Sequence, residues 1–156
     1  MTTTSKLHLQ GVTKRFIAPR TGQETLAVAT LIYGGVLDRH PKLDLCISHG
    51  GGATALLMGR MARGARKRPW SPSHLRPEGE FEARLQRLWF DTHVEHPQVL
   101  ELLSAVVGED HLVYGTNFAG WDEPDAAGAP SRHHAELDQS MLSRNARRLL
   151  RVTGHV

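Results

Sequence analysis

The chain has 156 residues, the size of one domain or part of a larger one at about 150 residues per domain. A complete eight-stranded α/β barrel takes about 250 residues and is excluded at this length. The apolar share of 40%, with 15 glycines besides, is ordinary for a globular chain and excludes wholesale disorder. The net charge of +3 hides an asymmetry: residues 1–80 carry 12 basic and 5 acidic groups, residues 81–156 carry 7 and 11.

Ten histidines direct attention to metal or acid–base chemistry, since imidazole is both a proton carrier near neutral pH and a common metal ligand. The single Cys46 excludes an internal disulfide, and its place in LDLCIS predicts a small buried side chain in a reducing compartment. No uncharged stretch of 18 apolar residues occurs, and MTTTSKLHLQ is too polar for a signal peptide, so a cytoplasmic protein is expected.

Residues 1–18 show no clear period and are read as a poorly specified start, with the domain running over 19–156. Thr21 to Glu24 has the spacing of a capping box and leads into LAVATLIYGGVL, predicting one helix of about four turns that ends near Asp38 and Arg39. It cannot pass His40, because Pro41 disfavours helical geometry there. LDLCIS then reads as a buried strand, stopped by His49-Gly50-Gly51-Gly52. ATALLMGRMARGARKR resumes a helical pattern, and residues 69–79, rich in Pro and Ser, form a loop.

Arg87–Thr92 is a second strand, and a helix starts with Pro97 at its first position and closes at Gly108. His111–Thr116 is the third strand, 117–131 is loop, and the tail from about His133 to Val152 is helical. Strands alternating with helices predict parallel βαβ units, whose functional groups lie at the carboxyl ends of the strands. Those ends hold His49, then Asp91, Thr92 and His93, then Asn117.

His49 in a glycine-rich turn can be an acid–base residue, a metal ligand or simply a hydrogen-bonded turn residue. The glycines do not form a phosphate loop, which would need a following Lys-Ser/Thr. His93 either lines the site or supports it by a hydrogen bond. His8, His133, His134 and His155 are read as solvated. The run from Arg60 to Arg68 admits three readings: a nucleic-acid contact, a solvated helix end favoured by the dipole, or an inward arginine gripping a carboxylate. No nucleic-acid motif accompanies it.

The segments Gln23-Glu24-Thr25, LIYGGVLDRHPKLDLCISHGGG, Met58-Gly59-Arg60, LWFDTHVEHPQVLELLSAVVGEDHLVYGTN and Asn145-Ala146-Arg147-Arg148-Leu149-Leu150, in this order, resemble the C-terminal part of the amidohydrolase-2 branch of the amidohydrolase superfamily. That branch includes aminocarboxymuconate-semialdehyde decarboxylase-like enzymes. The resemblance spans roughly Gln23 to Leu150.

It implies an α/β chain forming the C-terminal portion of a TIM-type (β/α)8 barrel, with about three parallel strands. It further implies a metal-dependent hydrolase or carboxy-lyase acting on small unsaturated or aromatic carboxylic acids, with a divalent metal, commonly zinc. His49 would be the acid–base residue. Arg68 follows it by the interval of the arginine that holds the substrate carboxylate in that branch.

Asn117 stands where the family carries a metal-binding aspartate; an amide oxygen can coordinate but has no charge and is a poor base. Asp122 lies five residues further on. The family's amino-terminal His-x-His pair and the histidine before the Glu24 helix have no counterpart, so a truncated or late-starting chain is expected. The alternative reading is a non-catalytic or homo-oligomerising fragment that pairs open sheet edges with another copy.

Overall fold

The structure, a computed structural model, describes residues 22–94, 96–115 and 138–152. Three short strands, β1 (Cys46–Ile47), β2 (Trp89–Asp91) and β3 (Leu112–Val113), form a parallel sheet in the order β1-β2-β3. The helices are α1 (Gln23–Tyr33), α2 (Val36–Arg39), α3 (Thr54–Lys67), α4 (Glu80–Leu85), α5 (Pro97–Val107) and α6 (Gln139–Leu149). The expected alternation of strand and helix is therefore present, with all pairings parallel.

Register explains which face carries the core. Ile47 pairs with Phe90, and Phe90 with Leu112. Because successive side chains alternate across a strand, these three form one row, and all three are buried. Helical residues close over that row: Val28 and Ile32 of α1, Ala62 and Ala65 of α3, Phe81 and Leu85 of α4, Leu100, Leu103 and Val107 of α5, and Leu142 of α6. Burial of each large aliphatic or aromatic side chain contributes about 1.5–3 kcal/mol.

The opposite row is Cys46, Trp89, Asp91 and Val113, by the same pairing. Trp89 is covered by the His111 ring at 5.0 Å and by the Arg148 guanidinium 5.3 Å above its centroid. Cys46 is exposed, which corrects the expectation of a buried side chain. LDLCIS is strand only at Cys46–Ile47; Leu45 and Ile47, on one face, pack on the core, while Cys46 lies on the other. The Cys46 thiol is nonetheless pushed up to about 11, first by desolvation around the sulfur and then by the Asp91 carboxylate.

Other boundaries differ for physical reasons. The helix expected to run unbroken to Arg39 is two helices, because Gly35 takes a left-handed conformation (φ 63°) between them. It does end before Pro41: His40 is non-helical at φ −126° and ψ 70°. The capping box is not formed, since the N-cap of α1 is Gly22 at φ 89° with no side-chain cap. Helix α4 occupies residues left unassigned by periodicity; its six residues are too few to show a convincing repeat.

The helix opening at Pro97 and closing at Gly108 is present with those limits. Of the C-terminal helix, Asp138 caps the start by accepting from the Ser140 N–H at 2.8 Å. Asn145 fastens α6 to β3, its Nδ2 donating to the carbonyls of Glu109 and Leu112 at 2.8 Å each.

Candidate functional site

The site begins where β1 ends. His49 and the three glycines after it all have positive φ, at 52°, 57°, 76° and 60°. Left-handed backbone costs a residue with a Cβ about 1–2 kcal/mol, so His49 is the strained member of the run. Gly51 is dictated by packing as well: a Cβ there would lie 2.7 Å from Cε1 of the buried Phe90. The loop thus lies directly on the core, and its tightness is what throws the imidazole outward.

Three side chains hold this loop in place. Asp91, at the end of β2, accepts from the Gly50 N–H at 2.9 Å and from the His93 N–H at 3.2 Å through the same Oδ1. Thr25 Oγ1 accepts from the Ala53 N–H at 2.9 Å and donates to the Gly51 carbonyl at 3.3 Å. Thr54 Oγ1 donates to that same carbonyl at 2.6 Å. Between them they satisfy backbone groups that a run of left-handed residues would otherwise leave unpaired.

The imidazole of His49 meets two partners. Its Nδ1 is 3.0 Å from Glu24 Oε1, and its ring centroid is 5.3 Å from that of His93, tilted by 45°. The His49 side chain is 52% exposed and the Glu24 side chain 20%, so the carboxylate is the sheltered partner and the imidazole faces solvent. The Glu24 carboxyl is held below its ordinary value, first by its own backbone N–H at the start of α1; desolvation opposes this, and the hydrogen bond and charge of His49 add to it.

The strand ends therefore bring His49, Asp91, Thr92 and His93 together, as the alternation of elements predicts. Arg68 is not among them. His49 lies before the first residue of α3 and Arg68 immediately after its last, fourteen residues on; at 1.5 Å per residue that is about 20 Å. Arg68 is exposed on the protein surface.

His96 is exposed and serves as the N-cap residue of α5. Asn117, Asp122, His8, His133, His134 and His155 lie outside the described residues. Sequence spacing marks Glu24 and Thr25 only as helix-start residues, and their part in the loop is visible in the structure. A usable signal existed: two acceptors in a helix's first turn, just upstream of a strand ending in His-Gly-Gly-Gly.

A catalytic zinc takes about three protein ligands and keeps one position open. Among the described residues no group of three or more His, Cys, Asp or Glu side chains is arranged to hold a metal ion. The donors present are also committed, with Asp91 Oδ1 accepting two backbone N–H groups and His49 Nδ1 facing Glu24. These residues by themselves do not fit a catalytic metal. What they form is a buttressed imidazole beside a second imidazole, an arrangement suited to proton transfer.

The protein is similar to proteins of known activity. It is 35% identical over 99 residues to the 2-amino-3-carboxymuconate-6-semialdehyde decarboxylase of Caenorhabditis elegans, covering 59% of this chain and 23% of that one. It is 32% identical over 93 residues to the protein of the same description from Dictyostelium discoideum, covering 60% and 26%. The matched part thus spans about a quarter of those relatives' length.

The fold matches that of 5-carboxyvanillate decarboxylase from Sphingomonas paucimobilis with a TM-score of 0.60 and 21% identity, covering 83% of this chain and 40% of that chain. The three parallel strands and their helices are accordingly part of a TIM-type barrel. Members of the amidohydrolase family are generally metal-dependent. The model of that family, described as Amidohydrolase, matches residues 6–152, and the chain belongs to the amidohydrolase family.

Proposed function

We propose that this chain carries the proton-transfer part of a decarboxylase-like site for small unsaturated or aromatic carboxylic acids. The observation that carries the reading is the His49 imidazole at the carboxyl end of β1, fixed at Nδ1 by Glu24 with His93 alongside. The two decarboxylase relatives supply the substrate class, an acid able to lose its carboxylate as CO2.

In this reading the protonated His49 gives the proton on Nε2 to the carbon that bears the carboxylate. The bond from that carbon to the carboxylate breaks, its electron pair stays on the carbon, and CO2 leaves; the neutral imidazole then takes a proton from water. His93 lines the substrate side of His49. Arg68 remains the candidate for holding the substrate carboxylate, from the far end of α3.

The complete site would also hold a divalent metal, zinc in this reading, with Asn117 as one ligand position, although no proton step assigned here passes through it. We take residues 19–156 as the domain, its setting as cytoplasmic, and self-association through the edges of β1 and β3 as a companion property. Each of those strands has one neighbour among the described strands. Among the described residues no helix is long and apolar enough to cross a membrane.

The test is CO2 release from a panel of small unsaturated and aromatic carboxylic acids, by the purified chain, with and without added zinc. Release that saturates with one of these acids supports the proposal. Absence of release from every acid under both conditions overturns it.

A further inference from the structure

We infer that Glu24 is the positioning residue of His49, fixing the Nδ1–H tautomer of its imidazole so that Nε2 is the nitrogen presented to a reacting molecule. Two independent observations carry this. The first is the 3.0 Å approach of His49 Nδ1 to Glu24 Oε1. An ionised carboxylate only accepts hydrogen bonds, so Nδ1 carries the proton and Nε2 has the lone pair in neutral imidazole.

The second is the backbone beneath the ring. His49 sits at φ 52°, a conformation that costs energy for any residue with a Cβ and persists only where surroundings enforce it. Asp91 and Thr54 supply part of those surroundings, and the first turn of α1 supplies the rest. Glu24 holds the ring, and its neighbour Thr25 holds the loop at Ala53 and Gly51. Adjacent residues on one helix turn thus fix side chain and backbone together, and rotation of the ring would forfeit the Glu24 contact.

Presentation of Nε2 matters for catalysis where His49 is the residue that moves the proton. That consequence rests on the proposed role of His49, whereas the tautomer assignment does not. A carboxylate in this position is therefore distinguishable from one that merely pairs with a surface histidine.

The experiment is 15N NMR of histidine-labelled protein at about pH 8, where an ordinary imidazole with a pKa of about 6.5 is neutral. The His49 signals are identified as those lost in H49N. The wild type is expected to show His49 as the Nδ1–H tautomer. E24A and E24L, the second keeping side-chain bulk so that packing near α1 is retained, are expected to revert it to the Nε2–H form that free histidine prefers.

An Nε2–H form in the wild type, or an unchanged Nδ1–H form in a folded E24A or E24L, overturns the inference whether or not the chain releases CO2. Where CO2 release is found, E24L is expected to lower kcat about tenfold or more with KM little changed, the signature of a misoriented imidazole.

Discussion

Replacing Gly51 by alanine isolates how tightly the His49 loop is pressed on the core. Two effects act at this position. The backbone is left-handed at φ 76°, which costs alanine about 1–2 kcal/mol. The added Cβ would also stand 2.7 Å from Cε1 and 3.0 Å from Cδ1 of Phe90, inside any real carbon–carbon contact. Phe90 is fully buried and cannot swing away, so overpacking adds about 1–3 kcal/mol.

Gly79 supplies the control. It has a comparable φ of 84°, and a Cβ there meets nothing within 4 Å, so G79A carries the backbone cost alone. G51A is therefore expected to destabilise the chain by about 2–5 kcal/mol and G79A by about 1–2 kcal/mol. Urea denaturation followed by circular dichroism measures both, with stability read from the midpoint and slope. A G51A chain no less stable than G79A would show that the loop does not rest on Phe90, and the account of how His49 is thrown outward would fail.

Asp91→Ala strands the N–H groups of Gly50 and His93, at an expected cost of about 2–4 kcal/mol; it also removes one of the two causes that raise the Cys46 thiol. Alkylation of Cys46 measured against pH is then expected to shift toward lower pH, with desolvation still holding the thiol raised, and an unshifted profile in a folded D91A would contradict the Asp91 assignment. The Glu24 carboxyl gives a pH dependence. Its value is lowered in the folded chain, so its contribution to stability is complete above its ordinary value of about 4.5 and is lost as pH falls through the lowered folded value. E24Q is expected to flatten that acid limb in urea titrations from about pH 6 to pH 3, and identical limbs would refute it.

How much of this was legible in the sequence depends on whether the cause was local. The alternation of strands with helices and the α5 limits follow from short-range signals, such as Pro97 at a first helical position and Gly108 beyond the last, and both stand. The clustering of His49, Asp91 and His93 followed from the rule that parallel strands present their carboxyl ends together. The helix break at Gly35, by contrast, needs φ 63°, and nothing in LIYGGVL distinguishes that from a tolerated glycine pair.

Glu24 illustrates the other limit. At three residues from Thr21 its spacing satisfies a capping box, and a local reading stops there. The carboxylate instead serves a histidine 25 residues away, a pairing set by how α1 packs beside the β1 loop. Arg68 is placed by its resemblance interval alone, and α3 puts about 20 Å of helix between its position and the His49 loop. Cys46 shows the same at residue scale, since an apolar run does not say which of its faces meets the helices.

The most direct test of the proton-transfer role is the rate of CO2 release by wild type and H49N, each verified as folded, on an acid that the wild type turns over. Loss of a general acid–base residue typically costs about 10²–10⁴-fold, and H49N is predicted to fall by at least about 100-fold in kcat with the pH dependence of the residual rate altered. A folded H49N that releases CO2 as fast as the wild type would contradict the account.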